Sequence, residues 1–412
     1  MNILVVTQYF WPENFRINDL VAELVVRGHE VTVLTGYPNY PDGVVLKRFI
    51  DNPSEFQEFE GATIIRVPLI PRGNSAVQLL SNYISFVVTG SCLGPYKLRG
   101  KKFDQIFVAG LSPITVGIPA IVMKWLKRAP IVFWVLDLWP DSLHAVGVVR
   151  SQRILGAVGF MVRLIYHPCD VILAQSRTFI PKIQQFCRPG KRIEFFPSWA
   201  ETIFEKQGQL SAPELDQFDG FFKVLFAGNI GESQDFPAIL DAAERLRKNQ
   251  RIRWILVGDG RMSPWVKAEI HRRNLTENVK MLGSFPLERM PSFYAGADAL
   301  LVTLKKSDAF SMTIPGKVQS YLAARRPLLG MLDGEGAAVI AESKAGIVCS
   351  AGDSMNLARI CEEMAEAAPE RRNDMAENGH AYYKREFHRE RLMDRIEDIF
   401  YTLKPSRRNN EN

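Results

Sequence analysis

The sequence predicts an α/β protein made of two doubly wound parallel-sheet domains in tandem. Three observations carry this: an opening β-α-β rhythm, a restart of that rhythm after residue 220, and sheer length. At 412 residues the chain exceeds the roughly 250–300 residues at which a single core stops growing. Residues 2–7 (NILVVT) are a short apolar run suited to a strand buried on both faces. After the loop QYFWPENFR, Leu20, Val21, Leu24 and Val25 recur at helical spacing until Arg27-Gly28-His29 stops the helix. Gly28 is placed for the left-handed residue beyond a helix end. Residues 30–35 (EVTVLT) form the next strand, completing the βαβ unit.

Further strands are expected at 63–68, 104–109, 131–136, 171–174 and 193–196, giving a first domain over 1–210. The polar, proline-containing stretch 211–220 reads as a connector. In the second domain, 221–381, strands at 223–228, 253–257, 279–282, 299–303 and 327–331 alternate with helical segments. One of these, 236–247, places Ile239, Leu240, Ala243 and Leu246 on one face. A closing helical pattern over 382–404 leaves open a return to the first domain. Ligands of such sheets bind outside the carboxyl ends of the strands, so two facing domains are expected to form a cleft.

The hydrophobic fraction of 47% and charged fraction of 23% exclude a disordered chain, a coiled coil and a multi-span membrane protein. Five scattered cysteines without a Cys-x-x-Cys pair argue against a disulfide scaffold or thiolate zinc site and fit a reducing compartment. The apolar start is too brief for a signal peptide. Charge is uneven: residues 1–196 hold 21 Lys and Arg against 14 Asp and Glu, whereas 197–412 hold 30 against 31. The cationic first half suits an anionic partner such as lipid headgroups or a diphosphate, or simply a basic surface kept for solubility. Nucleic acid is not expected, since no basic stretch is interleaved with aromatics. Residues 73–96 carry no charge but do not read as a membrane span. Asn74, Gln78, Ser81, Asn82, Ser85 and Thr89 form a polar stripe opposite Leu79, Leu80, Tyr83, Phe86 and Val87. That pattern fits a helix packed on the sheet, or one lying in a membrane interface beside Lys97, Arg99, Lys101 and Lys102.

Phosphate chemistry concentrates in the second half. Gly228-Asn229-Ile230-Gly231 follows an apolar strand and precedes a helix, so bare amides could approach a diphosphate near a positive helix end. Gly258-Asp259-Gly260-Arg261 repeats the arrangement. Pro315-Gly316-Lys317 opens a helix with a cation in its first turn, disfavoured by the dipole unless an anion binds there. In the first half, Asp137-Leu138-Trp139-Pro140-Asp141 places two carboxylates and a tryptophan at a strand's carboxyl end. Asp137 could bind a sugar hydroxyl or stabilise positive charge, Trp139 could stack on a sugar, and Asp141 could cap a helix. The six histidines are dispersed and no metal-ligand constellation is present; nor is there a Walker loop, a nucleophile elbow or a nicotinamide-binding glycine turn.

The series QYFWPENFRINDL, RGHEVTVLTGYPNYP, DLWPDS, FAGNIG, VGDG and TIPGKVQSYLAA resembles glycosyltransferase family 4 over nearly the whole chain. Within that family it is most similar to the WbuB-like amino-sugar (L-fucosamine) transferases of bacterial surface-polysaccharide assembly. The resemblance implies the GT-B fold, two Rossmann-like domains facing across a cleft, and a metal-independent, retaining transfer without a cofactor. A UDP-sugar would be the donor and a lipid-diphosphate-linked saccharide the acceptor, at an anionic membrane surface on the cytoplasmic side. Gly228, Asn229, Gly231 and Gln234 would border the diphosphate, Gly258, Asp259, Gly260, Arg261 and Phe285 the nucleoside, and Pro315 and Lys317 the phosphates. Asp137 would lie near the reacting carbon, with Asn14, Arg16, Asn39 and Trp139 on the acceptor side.

The pair of glutamates usual in the family is replaced by Met312 and Ser320, and the glycine usual after Ala-Ala by Arg325. A serine can bond a ribose but brings no charge and one oxygen. These departures keep a non-catalytic scaffold of the same pathway in view, and a nucleotide-sugar epimerase is the third reading. The aromatic loops at 11–16 and 37–41 favour a second substrate, and so a transferase.

Overall fold

A computed structural model of the chain describes residues 1–73, 75–145, 151–205 and 210–403. The first sheet holds β1 (Asn2–Val6), β2 (Glu30–Gly36), β3 (Glu58–Phe59), β4 (Ala62–Val67), β5 (Gln105–Gly110), β6 (Ile131–Val135), β7 (Val171–Ala174) and β8 (Arg192–Phe195). Their order is β3-β4-β2-β1-β5-β6-β7-β8, parallel except where β3 pairs antiparallel with β4. The second sheet holds β9 (Phe222–Ala227), β10 (Ile252–Val257), β11 (Val279–Gly283), β12 (Ala299–Thr303), β13 (Leu328–Met331) and β14 (Gly346–Cys349). It runs β11-β10-β9-β12-β13-β14, parallel throughout. Central strands such as β5, β6, β10 and β12 are buried along their whole length, as parallel strands covered by helices require. In each sheet the strand order reverses about one strand, β1 in the first and β9 in the second. Those reversals are where an open α/β sheet leaves room for a ligand.

Helices of eight or more residues are α1 (Arg16–Val26), α2 (Ala76–Lys97), α3 (Gly117–Lys127), α4 (Gln152–Tyr166), α5 (Phe236–Arg245), α6 (Ser263–Arg272), α7 (Gly316–Ala323), α8 (Glu335–Glu342), α9 (Ser354–Glu366), α10 (Pro369–Glu386) and α11 (Arg389–Leu403). Packing divides the chain into two compact units, Met1–Phe196 with the segment from Met393, and Pro197–Leu392. The segment after Phe196, expected with the first domain, packs with the second unit instead. Gln319 donates to the Ser198 carbonyl at 2.9 Å, and Glu205 accepts from Tyr383 at 2.7 Å and Lys384 at 2.6 Å. The closing pattern is two helices, α10 and α11, and α11 returns to the first unit. There Arg27 bonds Asp394 and Glu397 at 2.6 and 2.7 Å, and Gln105 donates to the Phe400 carbonyl at 2.8 Å.

Helix α2 departs from expectation in its orientation. Ser75 and Gln78 cap it reciprocally; Asn74, counted in the polar stripe, lies outside the described residues. The stripe faces inward: Asn82 is fully buried, accepting from Gln8 at 2.6 Å and Tyr9 at 3.2 Å and donating to the Ile70 carbonyl at 2.6 Å. Ser85 accepts the Ile70 amide at 2.9 Å. Val77, Leu80, Ile84 and Val88 point outward, each more than half exposed. The inward side thus mixes Asn82 and Ser85 with the fully buried Phe86, while the outward ridge is apolar.

Candidate active site

In the second unit the loops after β9 and β10 interlock. The backbone leaves β9 at Gly228 with φ +130 and β10 at Gly258 with φ +137, conformations open to glycine. A Cβ on Gly258 would fall 1.9 Å from the Gly228 carbonyl oxygen, so only hydrogen fits between the loops. Ile230 donates to the Asp259 carbonyl and Met262 to that of Ile230, each at 2.9 Å. The Asn229 side chain lies against both Gly231 and Gly260. Six of the expected residues, Gly228, Asn229, Gly231, Gly258, Asp259 and Gly260, are thereby brought together. Asp259 is exposed, its carboxyl held below the usual range by the Ser263 hydroxyl and the Gly260 amide. Arg261 is exposed beside it.

Pro315 is the residue before the first turn of α7, and Lys317 the second residue within it. Lys317 reaches Gly228: a Cβ there would sit 2.8 Å from its Cε. Its ammonium donates to Gln234 Oε1 at 2.6 Å and lies 3.6 Å from the centroid of the Phe226 ring. Among the described residues no carboxylate comes within 4.0 Å of it. Burial lowers its pKa to about 7. A cation at a helix start, with an amide oxygen and a ring face for company, sits where an anion would gain most.

Beyond β10 and β11 a cavity of about 540 Å³ is lined by Gly258, Asp259, Ser263, Lys267, Met281 and Gly283 among others. Phe285 does not line it. It packs on Phe293, centroids 4.7 Å apart, beneath Arg289, which Glu214 holds at 2.8 Å. Ser320 is buried, and its hydroxyl donates to the Gly316 carbonyl at 3.2 Å. Its hydrogen is therefore spent within the helix, leaving lone pairs for a ligand. Sequence reasoning passed over Glu335, a buried carboxylate opening α8. The turn carrying it packs on the loop before α7, where a Cβ on Gly334 would meet the Ser311 carbonyl at 1.9 Å and one on Gly336 the Pro315 ring at 2.9 Å. The Gly-Glu-Gly run after β13 was the available signal.

In the first unit, Asp137 follows β6 and is partly exposed. Trp139, expected as a stacking platform, is 6% exposed, donates its indole N–H to Asp137 Oδ2 at 3.0 Å, and packs edge-on to Tyr83. Its role in the structure is to hold the carboxylate. Asp141 lies within a short helix and pairs with Lys182 at 2.8 Å. Burial raises the Tyr83 hydroxyl, with Arg72 and Ser112 pulling it back. Asn39, expected to face an acceptor, is buried in loop structure: its side chain accepts from the Arg72 amide at 2.8 Å and donates to the Tyr37 carbonyl at 2.9 Å. Asn14 is exposed, and Arg16 is half-exposed at the start of α1.

Two buried charges missed in the sequence organise these loops. The Glu13 carboxylate collects the amides of Phe10, Asn39 and Tyr40 at 3.2, 2.7 and 2.6 Å. Burial raises its pKa, and those amides offset part of the rise. Arg66 donates to the carbonyls of Gly36, Phe56 and Trp11, and burial brings it down to about 10. Carboxylate and guanidinium thus tie the loop after β1 to those after β2 and before β3.

Residues 14–199 match the family model described as glycosyl transferase 4-like domain, and 222–367 that described as glycosyl transferases group 1. A protein of Escherichia coli (strain K12), assigned as the colanic acid biosynthesis glycosyl transferase WcaI, is 27% identical over 341 residues, 78% of this chain and 81% of that one. Among solved structures, Alr3699/HepE of Anabaena in complex with UDP has a TM-score of 0.69 at 15% identity, covering 98% of this chain and 100% of its own. Sucrose-phosphate synthase of Thermosynechococcus elongatus gives 0.72 at 13%, covering 98% of each chain. WaaG, a glycosyltransferase involved in lipopolysaccharide biosynthesis, gives 0.64 at 13%, covering 97% and 99%. These likenesses are of fold.

Proposed function

The chain belongs to the family 4 glycosyltransferases of GT-B fold that build surface polysaccharide, and from that premise we propose that its second unit takes a UDP-sugar. We assign the sugar as an N-acetylated amino sugar, transferred with retention and without a metal to a lipid-diphosphate-linked saccharide. The setting is O-antigen, capsule or exopolysaccharide assembly, at the inner face of the cytoplasmic membrane. One observation carries the donor reading: the Lys317 ammonium, unpaired with any described carboxylate, against the glycine turn at Gly228, whose own amide is taken by the Val257 carbonyl. A diphosphate supplies the missing charge, and stabilising it as a leaving group lowers the barrier, about 2.7–4 kcal/mol for one well-placed donor. The support from outside is that HepE has been solved with UDP and with UDP-glucose.

Gly228, Asn229, Gly231 and Gln234 then face the phosphates, with Pro315 and Lys317. Gly258, Asp259, Gly260 and Arg261 face the nucleoside. Ser320 offers the ribose lone pairs only, so its hold there is weaker than a glutamate's. On the first unit Asp137, oriented by Trp139, is the carboxylate assigned to charge developing at the reacting carbon. Calorimetry tests the donor reading. UDP and UDP-N-acetylamino sugars should bind the full chain, and Lys317→Ala should weaken UDP by more than about tenfold. No heat at millimolar UDP, or an unaltered variant, would remove the basis of the assignment. Transfer to a lipid-linked acceptor, followed by mass and by the anomeric configuration of the product, tests the rest; turnover should persist in chelator.

A further inference from the structure

The connections β4-α2-β5, β5-α3-β6 and β6-α4-β7 all advance the same way across the first sheet, whereas β1-α1-β2 runs the other way. Right-handed crossovers therefore lay α2, α3 and α4 side by side on one face and α1 on the opposite one. Contacts agree: a Cβ on Gly90 of α2 would meet Pro119 of α3 at 3.0 Å, and one on Gly117 of α3 would meet Ile165 of α4 at 2.5 Å.

This face has two unusual properties. Its outward side chains are large and apolar: Val77 (74% exposed), Leu80, Ile84 and Val88 along α2, Trp125 (73%) on α3 and Phe160 (61%) on α4. It is also poor in carboxylates. None of the three helices contains Asp or Glu, and residues 61–170 hold twelve Lys and Arg against four Asp. Those four are engaged: Asp104 caps Asn2, Asp137 holds Trp139, Asp141 pairs with Lys182 and Asp170 with Lys124 of α3. Arg99, Lys102, Arg128, Arg153 and Arg163 are exposed with no described carboxylate within 4.0 Å. A face kept only for solubility would mix both signs of charge and break up its apolar residues.

We propose that this α2-α3-α4 face docks on a bilayer of anionic lipids, with α2 lying along the boundary between headgroups and acyl chains. Helix α2 is long and apolar enough to cross a membrane. Its inward side is fixed to the sheet through Asn82, and Gly94 sits against Leu34, so it lies in the interface rather than across it. The ridge supplies insertion and the uncompensated cations supply attraction to lipid phosphates. The same helix carries Tyr83, which packs edge-on against the Trp139 that holds Asp137. The lipid character of the acceptor rests on the proposed function; the docking itself does not.

Flotation of the full chain with vesicles of phosphatidylglycerol and phosphatidylcholine tests it, using UDP calorimetry as a control independent of lipid. Binding is expected to phosphatidylglycerol vesicles at low salt, to be weaker on pure phosphatidylcholine and to fall in high salt. Ile84→Gln with Trp125→Ser, or Arg99→Glu with Lys102→Glu, should reduce partitioning by more than about tenfold while leaving UDP binding unchanged. Trp125 emission should shift to the blue on binding, and this shift should be lost in Trp125→Phe. Failure to float at low salt, or flotation indifferent to both double variants, overturns the proposal. So does self-association that the same variants abolish without vesicle binding, which would make a second copy the occupant. Vesicle binding with no UDP binding leaves the surface standing and removes the donor reading.

Discussion

Gly258 and Gly190 both have positive φ, +137 and +80, but their surroundings differ. Around Gly190 a Cβ meets nothing within 4 Å. Gly190→Ala should therefore cost only the backbone term of about 1–2 kcal/mol, seen as a modest loss in urea midpoint. Gly258→Ala adds a collision with backbone and should cost more than about 3 kcal/mol or prevent folding. Lys317 yields a pH prediction. Its pKa of about 7 in the free protein lies below the ordinary 10.5, so the ammonium a diphosphate needs is lost as pH rises through 7. UDP affinity should fall about tenfold per unit above that, and weaken again below about 6 as phosphate protonates. At pH 8 binding should take up a proton, making the measured heat depend on the buffer, and Lys317→Met should lose both the fall above 7 and the proton uptake while keeping the weakening below 6. The glycines of this site were legible because a glycine-rich turn after an apolar strand is a local pattern. The partners of Lys317 were not: Gln234 and Phe226 lie more than eighty positions away, and only the sheet's order brings them near.

Strands read well from the sequence because those buried on both faces are written as unbroken apolar runs. β7 and β12 lie where expected, and most others shift by one residue. β3, two residues long, carries no such run and was missed; β14 is apolar (GIVC) but only four residues long and partly buried, and was missed too. Helix α2 was recognised as amphipathic, yet periodicity gives the existence of two faces and not which one turns inward. Its inward polarity makes Asn82 a sensitive position. Asn82→Leu takes from the buried Gln8 amide its 2.6 Å acceptor and from the Ile70 carbonyl its side-chain donor, and should cost about 1–3 kcal/mol. The measurement is denaturant unfolding against Ser81→Ala, a half-exposed neighbour. Removing the reciprocal cap with Ser75→Ala should cost about 1 kcal/mol.

At the level of the whole molecule, the chain leaves its first unit at Phe196 and re-enters it at Met393. Sequence rhythm located two domains but could not place that return, since a helix pattern does not name the surface it packs on. Ending the chain after Leu392 should destabilise the first unit. Arg27 would lose Asp394 and Glu397, His29 would lose Glu397, and Phe107 its edge-on neighbour Phe400. Hydrogen exchange should then show lost protection in β1 and β5, with β9 and β10 unchanged. The same closure bears on synthesis. A nascent chain emits the strands of its first domain before those of the second, but receives the last helix of the first only after the second has been translated. The first sheet must wait on the ribosome, unfinished along the flank that α11 will cover, so a late frameshift would be felt in strands made long before it.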